Sequence, residues 1–154
     1  MHTTWTGEFA CKPEHLWKFL EEPELQKQWM KGLQDSWPTS EGARGLGSTF
    51  RMKIKEGSRV AEYDGRVTAY DPPKQLAVVL SGGAFPEGMA INVDYRLSDL
   101  GGRTRLDYVA ASDCSKPLPW WMRLLMPLFQ LFGKMQLKGF MKTLKQLAEA
   151  PQAA

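Results

Sequence analysis

The chain has 154 residues, 43% of them hydrophobic and 24% charged, with a net charge of +3. That balance fits one soluble globular domain and excludes an intrinsically disordered chain. No run reaches the roughly 18–20 apolar residues of a membrane-spanning helix, and two cysteines, Cys11 and Cys114, are too few for a disulfide scaffold.

In chain order, Thr3 to Ala10 reads as a strand with Trp5 and Phe9 on one face. Pro13 then opens a helix, PEHLWKFLEE, with Glu14 at the positive end of its dipole and Leu16, Phe19 and Leu20 as an apolar stripe. Pro23 interrupts it, and Glu24 to Met30 reads as a second short helix. Strands follow. Leu33 to Thr39 is a weak one, and Gly42, Gly45 and Gly47 mark a loop. Ser48 to Lys55 alternates Phe50, Met52 and Ile54 against Arg51, Lys53 and Lys55.

Glu56-Gly57-Ser58 is a hairpin turn. Arg59 to Tyr70 sets Ala61, Tyr63, Gly65, Val67 and Ala69 against Glu62, Asp64, Arg66 and Thr68. Asp71-Pro72-Pro73 must turn, because proline cannot donate to a ladder. Gln75 to Ser81 is a strand, and Gly82 to Gly88 is a loop carrying Phe85. Met89 to Leu97 turns Ile91, Val93 and Tyr95 inward, and Arg103 to Ser112 does the same with Leu106 and Tyr108. The remainder is helical. Trp120 to Met126 is a short apolar segment, Pro127 resets the chain, and Pro127 to Glu149 is amphipathic, with Phe129, Leu137, Phe140, Met141, Leu144 and Leu147 on one side.

This order predicts an α+β fold: a curved seven-stranded antiparallel sheet wrapped around a long C-terminal helix, with two short helices after the first strand. An antiparallel meander with one apolar face needs a cover, and the C-terminal helix has the apolar surface to supply it. Residues 1–149 form the expected single domain, and 150–154 a frayed tail. The N-terminal MHTTWTGEFACK lacks the basic-then-apolar plan of a signal peptide, so a reduced, cytoplasmic setting is expected.

Charge is uneven. Residues 120–149 hold Arg123, Lys134, Lys138, Lys142 and Lys145 against one acid, Glu149. A basic helix can touch anionic lipid, but a solvated face is the more ordinary outcome and the one expected. Neither zinc-finger spacing nor an aromatic RNA-binding motif occurs, so nucleic acid is not an expected partner.

Several stretches together carry a family likeness. Pro13-Glu14-His15-Leu16-Trp17 opens the first helix, and Trp29 ends the second. Gly47-Ser48-Thr49-Phe50-Arg51 opens the third strand. Val67-Thr68-Ala69-Tyr70-Asp71-Pro72-Pro73-Lys74-Gln75-Leu76 fits a V-x-x-x-D-P-P-x-x-L turn, and Gly102-Arg103-Thr104-Arg105-Leu106 the last hairpin. Over nearly its whole length the chain resembles the START-related helix-grip superfamily (SRPBCC), in its polyketide cyclase/dehydrase-like branch. The resemblance implies the helix-grip fold. It bears less on chemistry, because this fold hosts lipid carriers, allergen-type binders, cyclases and chaperone cofactors.

Candidate chemistry narrows by elimination. His2 and His15 are the histidines, far apart in sequence, and neither cysteine belongs to a C-x-x-C pair, so no metal and no cofactor is expected. No G-x-S-x-G elbow supports a hydrolase. The glycines of EGARGLG precede a strand and not a helix, which fits a loop better than a dinucleotide fingerprint.

What remains is a space between sheet and helix. The expected ligand-binding residues are Phe50, Met52, Tyr63, Phe85, Ile91, Tyr95, Tyr108, Trp120, Phe129 and Gly133, around a pocket of at least about 300 Å³ opening near Phe85 and Trp120. The expected function is binding or transport of a small hydrophobic molecule: a lipid, an isoprenoid or a polyketide-like compound. The alternative is a polyketide-like cyclase or dehydratase using Tyr63, Tyr95 and Tyr108 as acid/base groups. A third reading is a protein or membrane interaction module built on the basic helix or on Trp120-Trp121. The oligomeric state is left open.

Overall fold

The computed structural model describes residues 2–150, without the side chains of residues 129, 130 and 132. Its elements are β1 (His2–Phe9), α1 (Pro13–Glu21), α2 (Pro23–Trp29), β2 (Leu33–Pro38), β3 (Thr49–Glu56), β4 (Arg59–Asp71), β5 (Gln75–Gly82), β6 (Met89–Asp99), β7 (Thr104–Cys114) and α3 (Trp120–Glu149). The strands form a seven-stranded sheet in the order β1-β7-β6-β5-β4-β3-β2. Every neighbouring pair is antiparallel. This is the helix-grip arrangement expected from the sequence.

Local chemistry explains the breaks. Each short helix starts on a proline in its first turn, where a missing N–H costs nothing. The β3–β4 connection needs only Gly57 and Ser58, because Gly57 takes a left-handed φ of 62°. Trp29, at the end of α2, is buried, and its indole N–H donates to the Phe19 carbonyl at 2.8 Å, tying the two short helices together.

The core lies where β1, β7, α1 and the second half of α3 meet. Phe9, Leu16, Leu20, Leu106, Met141 and Leu144 are each at most 1% exposed. On α3 the buried residues are Leu137, Met141, Leu144 and Ala148, the spacing of one helical face. The four lysines, Lys134, Lys138, Lys142 and Lys145, are all exposed.

Three features depart from expectation. First, α3 is one continuous helix from Trp120, and Pro127 lies inside it without resetting the chain. Pro127 is the eighth residue of the helix, where it removes the backbone bond to the Arg123 carbonyl and crowds that carbonyl, while the leucines and methionines around it are good helix formers. Second, β4 carries a register shift between Val67 and Ala69, so that Tyr70, paired with Leu76, turns inward in place of Ala69. Tyr70 packs on the core, with its ring 5.8 Å from Trp17 in an edge-to-face contact. Third, Gly133 faces neither sheet nor core, since a Cβ there would meet nothing within 4 Å. The first half of α3 is largely exposed. Beyond Ala150, the expected tail lies outside the described residues.

The division of α3 into two halves gives a direct test. Leu144→Ala should destabilise by about 2–5 kcal/mol, the range for a fully buried leucine, whereas Leu128→Ala, at a residue 62% exposed, should cost under about 0.5 kcal/mol. Midpoints in urea with unchanged slopes would show this; equal losses would mean that the first half is packed as well.

Candidate functional site

A cavity of about 140 Å³ lies between the concave face of the sheet, α2 and α3. Its sheet wall comes from alternate positions of successive strands: Phe50 and Met52 on β3, Val67 on β4, Leu76, Val78 and Leu80 on β5, Val93 and Tyr95 on β6, and Tyr108 on β7. Period-two alternation puts all of these on one side. Leu137, Phe140 and Met141 of α3 form the opposite wall, and Leu20, Gln26, Trp29 and Met30 close it from α1, α2 and the turn after them.

The cavity is smaller than the 300 Å³ expected from general pocket sizes. Long side chains account for the difference. Trp29 and Met30, which are not among the residues expected from sequence, line it from the α2 side, and Leu137, Phe140 and Met141 from the α3 side. A cavity of about 150 Å³ is nonetheless enough to hold a benzene-sized ring.

Among the expected residues, Phe50, Met52, Tyr95 and Tyr108 line this cavity, while Tyr63, Phe85, Ile91, Trp120 and Gly133 do not. The side chain of Phe129 lies outside the described residues. Tyr63 and Phe85 pack on each other at 5.0 Å, ring centre to ring centre. The Tyr63 hydroxyl donates to Glu56 Oε1 at 2.6 Å and accepts from the Ala84 N–H at 3.4 Å. Nearby, Lys116 pairs with Glu87 at 2.7 Å. The loops at this end gather around Tyr63, and neither Phe85 nor Trp120 lines the cavity. Trp120 is 73% exposed.

The polar groups of the cavity are few. Tyr95 and Tyr108 meet edge to face, with ring centres 5.3 Å apart. Among the described residues no hydrogen bond engages either hydroxyl, and none of the wholly buried side-chain polar atoms lacks a partner. The two hydroxyls therefore reach the open space of the cavity. Burial pushes Tyr108 up to about 12 and Tyr95 higher, the latter also through its neighbour Tyr108. Both stay protonated at neutral pH and can donate.

Among the described lining residues, Arg44 is the one cation. It comes from the loop between β2 and β3, which reads from sequence as a simple glycine-rich connection. Its guanidinium donates to the Glu21 carbonyl at 2.6 Å and stands 5.9 Å from the centre of the Phe50 ring. Phe50 in turn lies across Gly65, its cross-strand partner, where any Cβ would run into the ring. Gly65 thus sets the position of Phe50, and Phe50 that of Arg44.

Below Arg44, the Glu21 carboxylate accepts from the Tyr70 hydroxyl and, at 2.8 Å, from the Trp17 indole. Burial and this carboxylate hold Tyr70 up at about 12, and burial with Glu56 does the same for Tyr63. Glu21, from the end of α1, and Glu56, from the end of β3, thus each hold a tyrosine hydroxyl, and neither is among the residues lining the cavity.

Among the described residues no group of three metal-ligating side chains gathers, and no helix is long and apolar enough to cross a membrane.

Known proteins place this geometry. Its fold matches the crystal structure of Ara h 8.0201 with a TM-score of 0.70 at 18% identity, covering 96% of this chain and 98% of that one. A START superfamily protein from Mycobacterium smegmatis matches with a TM-score of 0.73 at 17% identity, over 96% and 97% of the two chains. The Zhui aromatase/cyclase from Streptomyces sp. R1128 gives 0.73 at 14% identity, over 97% and 93%. At such identities these likenesses show the fold alone. No curated protein sequence matches significantly. Residues 2–149 match a sequence family described as polyketide cyclase / dehydrase and lipid transport, and the chain belongs to that family within the START-like helix-grip superfamily.

Proposed function

We propose that residues 1–149 act as one unit that binds a small, mainly apolar molecule carrying a hydrogen-bond acceptor, held in the cavity with that acceptor against the Tyr95 and Tyr108 hydroxyls. The observation that supports this most directly is the pairing of an apolar lining with two donors that no group among the described residues engages. Such a pair orients a carbonyl or hydroxyl, and the apolar wall supplies affinity without direction. The family description, with its lipid transport, agrees with a hydrophobic ligand. The volume favours a compact ligand of about one ring, or the head of a longer isoprenoid or polyketide-like chain.

The cyclase or dehydratase alternative has one supporting observation, which is the same tyrosine pair. Proton removal beside a ketone needs a base, and among the described residues the cavity lining contains no aspartate, glutamate or histidine. Tyrosines whose protons are held to pH 12 and beyond can act as acids but are poor bases at neutral pH. The geometry therefore supports binding over turnover.

Native mass spectrometry of protein from its own host, followed by organic extraction, should reveal a bound small molecule. An apolar fluorescent probe should bind as well. Val78→Phe, which fills the middle of the cavity, should weaken the probe at least tenfold while costing about 1–3 kcal/mol from overpacking. Tyr108→Phe should leave binding of a purely apolar probe intact and weaken a ketone-bearing one. Probe binding indifferent to Val78→Phe would place the ligand elsewhere.

The tyrosines also set an alkaline limit. All four are raised above their ordinary value of about 10. The unfolded chain loses these protons near pH 10 and the folded chain keeps them. The stability they contribute is therefore complete below pH 10 and is lost as pH climbs towards 12. Absorbance at about 295 nm should stay flat through pH 10 and rise together with unfolding. Half-ionisation at pH 10 in the folded protein would contradict the burial described.

A further inference from the structure

The first half of α3 presents an apolar stripe that the fold does not use. Trp120, Trp121, Leu124, Leu128, Leu131 and Met135 are between 50% and 73% exposed. At about 100° per residue they fall within an arc of about 100°. That arc is centred roughly 140° away from the face that buries Leu137, Met141, Leu144 and Ala148. Lys138 and Lys142 continue the same arc towards the C-terminus, and Lys134 and Lys145 run along its edge. All four lysines are exposed. From Pro117 to Ala148 the sequence contains no aspartate or glutamate.

We propose that this outer face of α3 docks on an anionic lipid surface, with the Trp120–Met135 stripe lying in the interface and the lysines over acidic headgroups. The charge decides between occupants. A protein surface mixes signs, and a helix face meant for one commonly carries acids among its bases. A face wholly basic beyond its apolar end complements a sheet of negative charge. A pair of tryptophans at one end of the stripe suits the boundary between headgroup and acyl chain, where an apolar ring with a polar N–H is at home. The inference stands on the outside of the helix and does not depend on what the cavity holds.

The test uses the full chain and sedimentation with vesicles of phosphatidylcholine and phosphatidylglycerol in equal parts. Binding should be at least tenfold weaker on pure phosphatidylcholine, and at least tenfold weaker in 500 mM than in 50 mM salt. Lys138→Glu with Lys142→Glu should reduce it to the level of the neutral vesicles. Trp120→Ser with Leu124→Ser and Leu128→Ser should abolish it while leaving thermal unfolding and cavity-probe binding unchanged, since all three residues are exposed. Absence of vesicle binding would overturn the proposal, as would binding insensitive to salt and charge reversal. So would a concentration-dependent dimer dispersed by Leu128→Ser, which would show a second copy covering the stripe.

Discussion

Everything in this molecule depends on the contact between the second half of α3 and the two short helices inside the curve of the sheet. A seven-stranded antiparallel meander has two faces and, uncovered, would expose the inner one to water. Leu137, Met141, Leu144 and Ala148 supply the cover by meeting Phe9, Leu16, Leu20 and Leu106. Burial of this apolar area is the dominant favourable contribution, and it fixes the depth of the remaining space. Where α3 sits close to β1 and α1 the interior is solid. Between α3, α2 and the concave face of the central strands, a cavity of about 140 Å³ survives. The candidate site is thus a by-product of how far one helix reaches across a curved sheet.

The two populations of tyrosine illustrate how the same side chain acquires different roles. Tyr63 and Tyr70 sit at the ends of the strand surface and give their hydroxyl protons to Glu56 and Glu21. Those pairs close the structure at its rims. Tyr95 and Tyr108 sit mid-sheet, where among the described residues no carboxylate reaches, and both line the cavity. Arg44 enters from a loop, stands over Phe50, which lies across Gly65, and donates to the Glu21 carbonyl. A hydroxyl in an otherwise apolar cavity costs free energy unless it finds a partner.

The fold was legible in the sequence because its signals are local. Alternation in β3, β6 and β7 assigns inward and outward faces without reference to anything distant, and Pro13 and Pro23 mark both helix starts. The site was only half legible. Phe50, Met52, Tyr95 and Tyr108 followed from alternation, whereas Trp29, Met30 and Arg44 enter from a short helix and the loops beside it, whose direction no periodicity reports. Tyr70 was hidden by the register shift after Val67, which moves a side chain across the sheet with no glycine or proline to announce it. Gly133 misled for a related reason. Its place on the helical wheel is that of Leu137, but a wheel does not say where along a helix the packing stops.

That stopping point divides α3 into segments of very different cooperativity. Residues between Leu137 and Leu144 can lose their helical hydrogen bonds only if the core opens, so their amides should exchange with solvent near the rate of global unfolding. Residues before Leu137 are held mainly by propagation from the packed half, across Gly133 and Pro127, each of which weakens a helix. Their opening free energy is correspondingly small, and this half of the helix can fray and re-form without disturbing the sheet. The chain therefore carries, within one uninterrupted secondary-structure element, both its most slowly and some of its most rapidly exchanging amides.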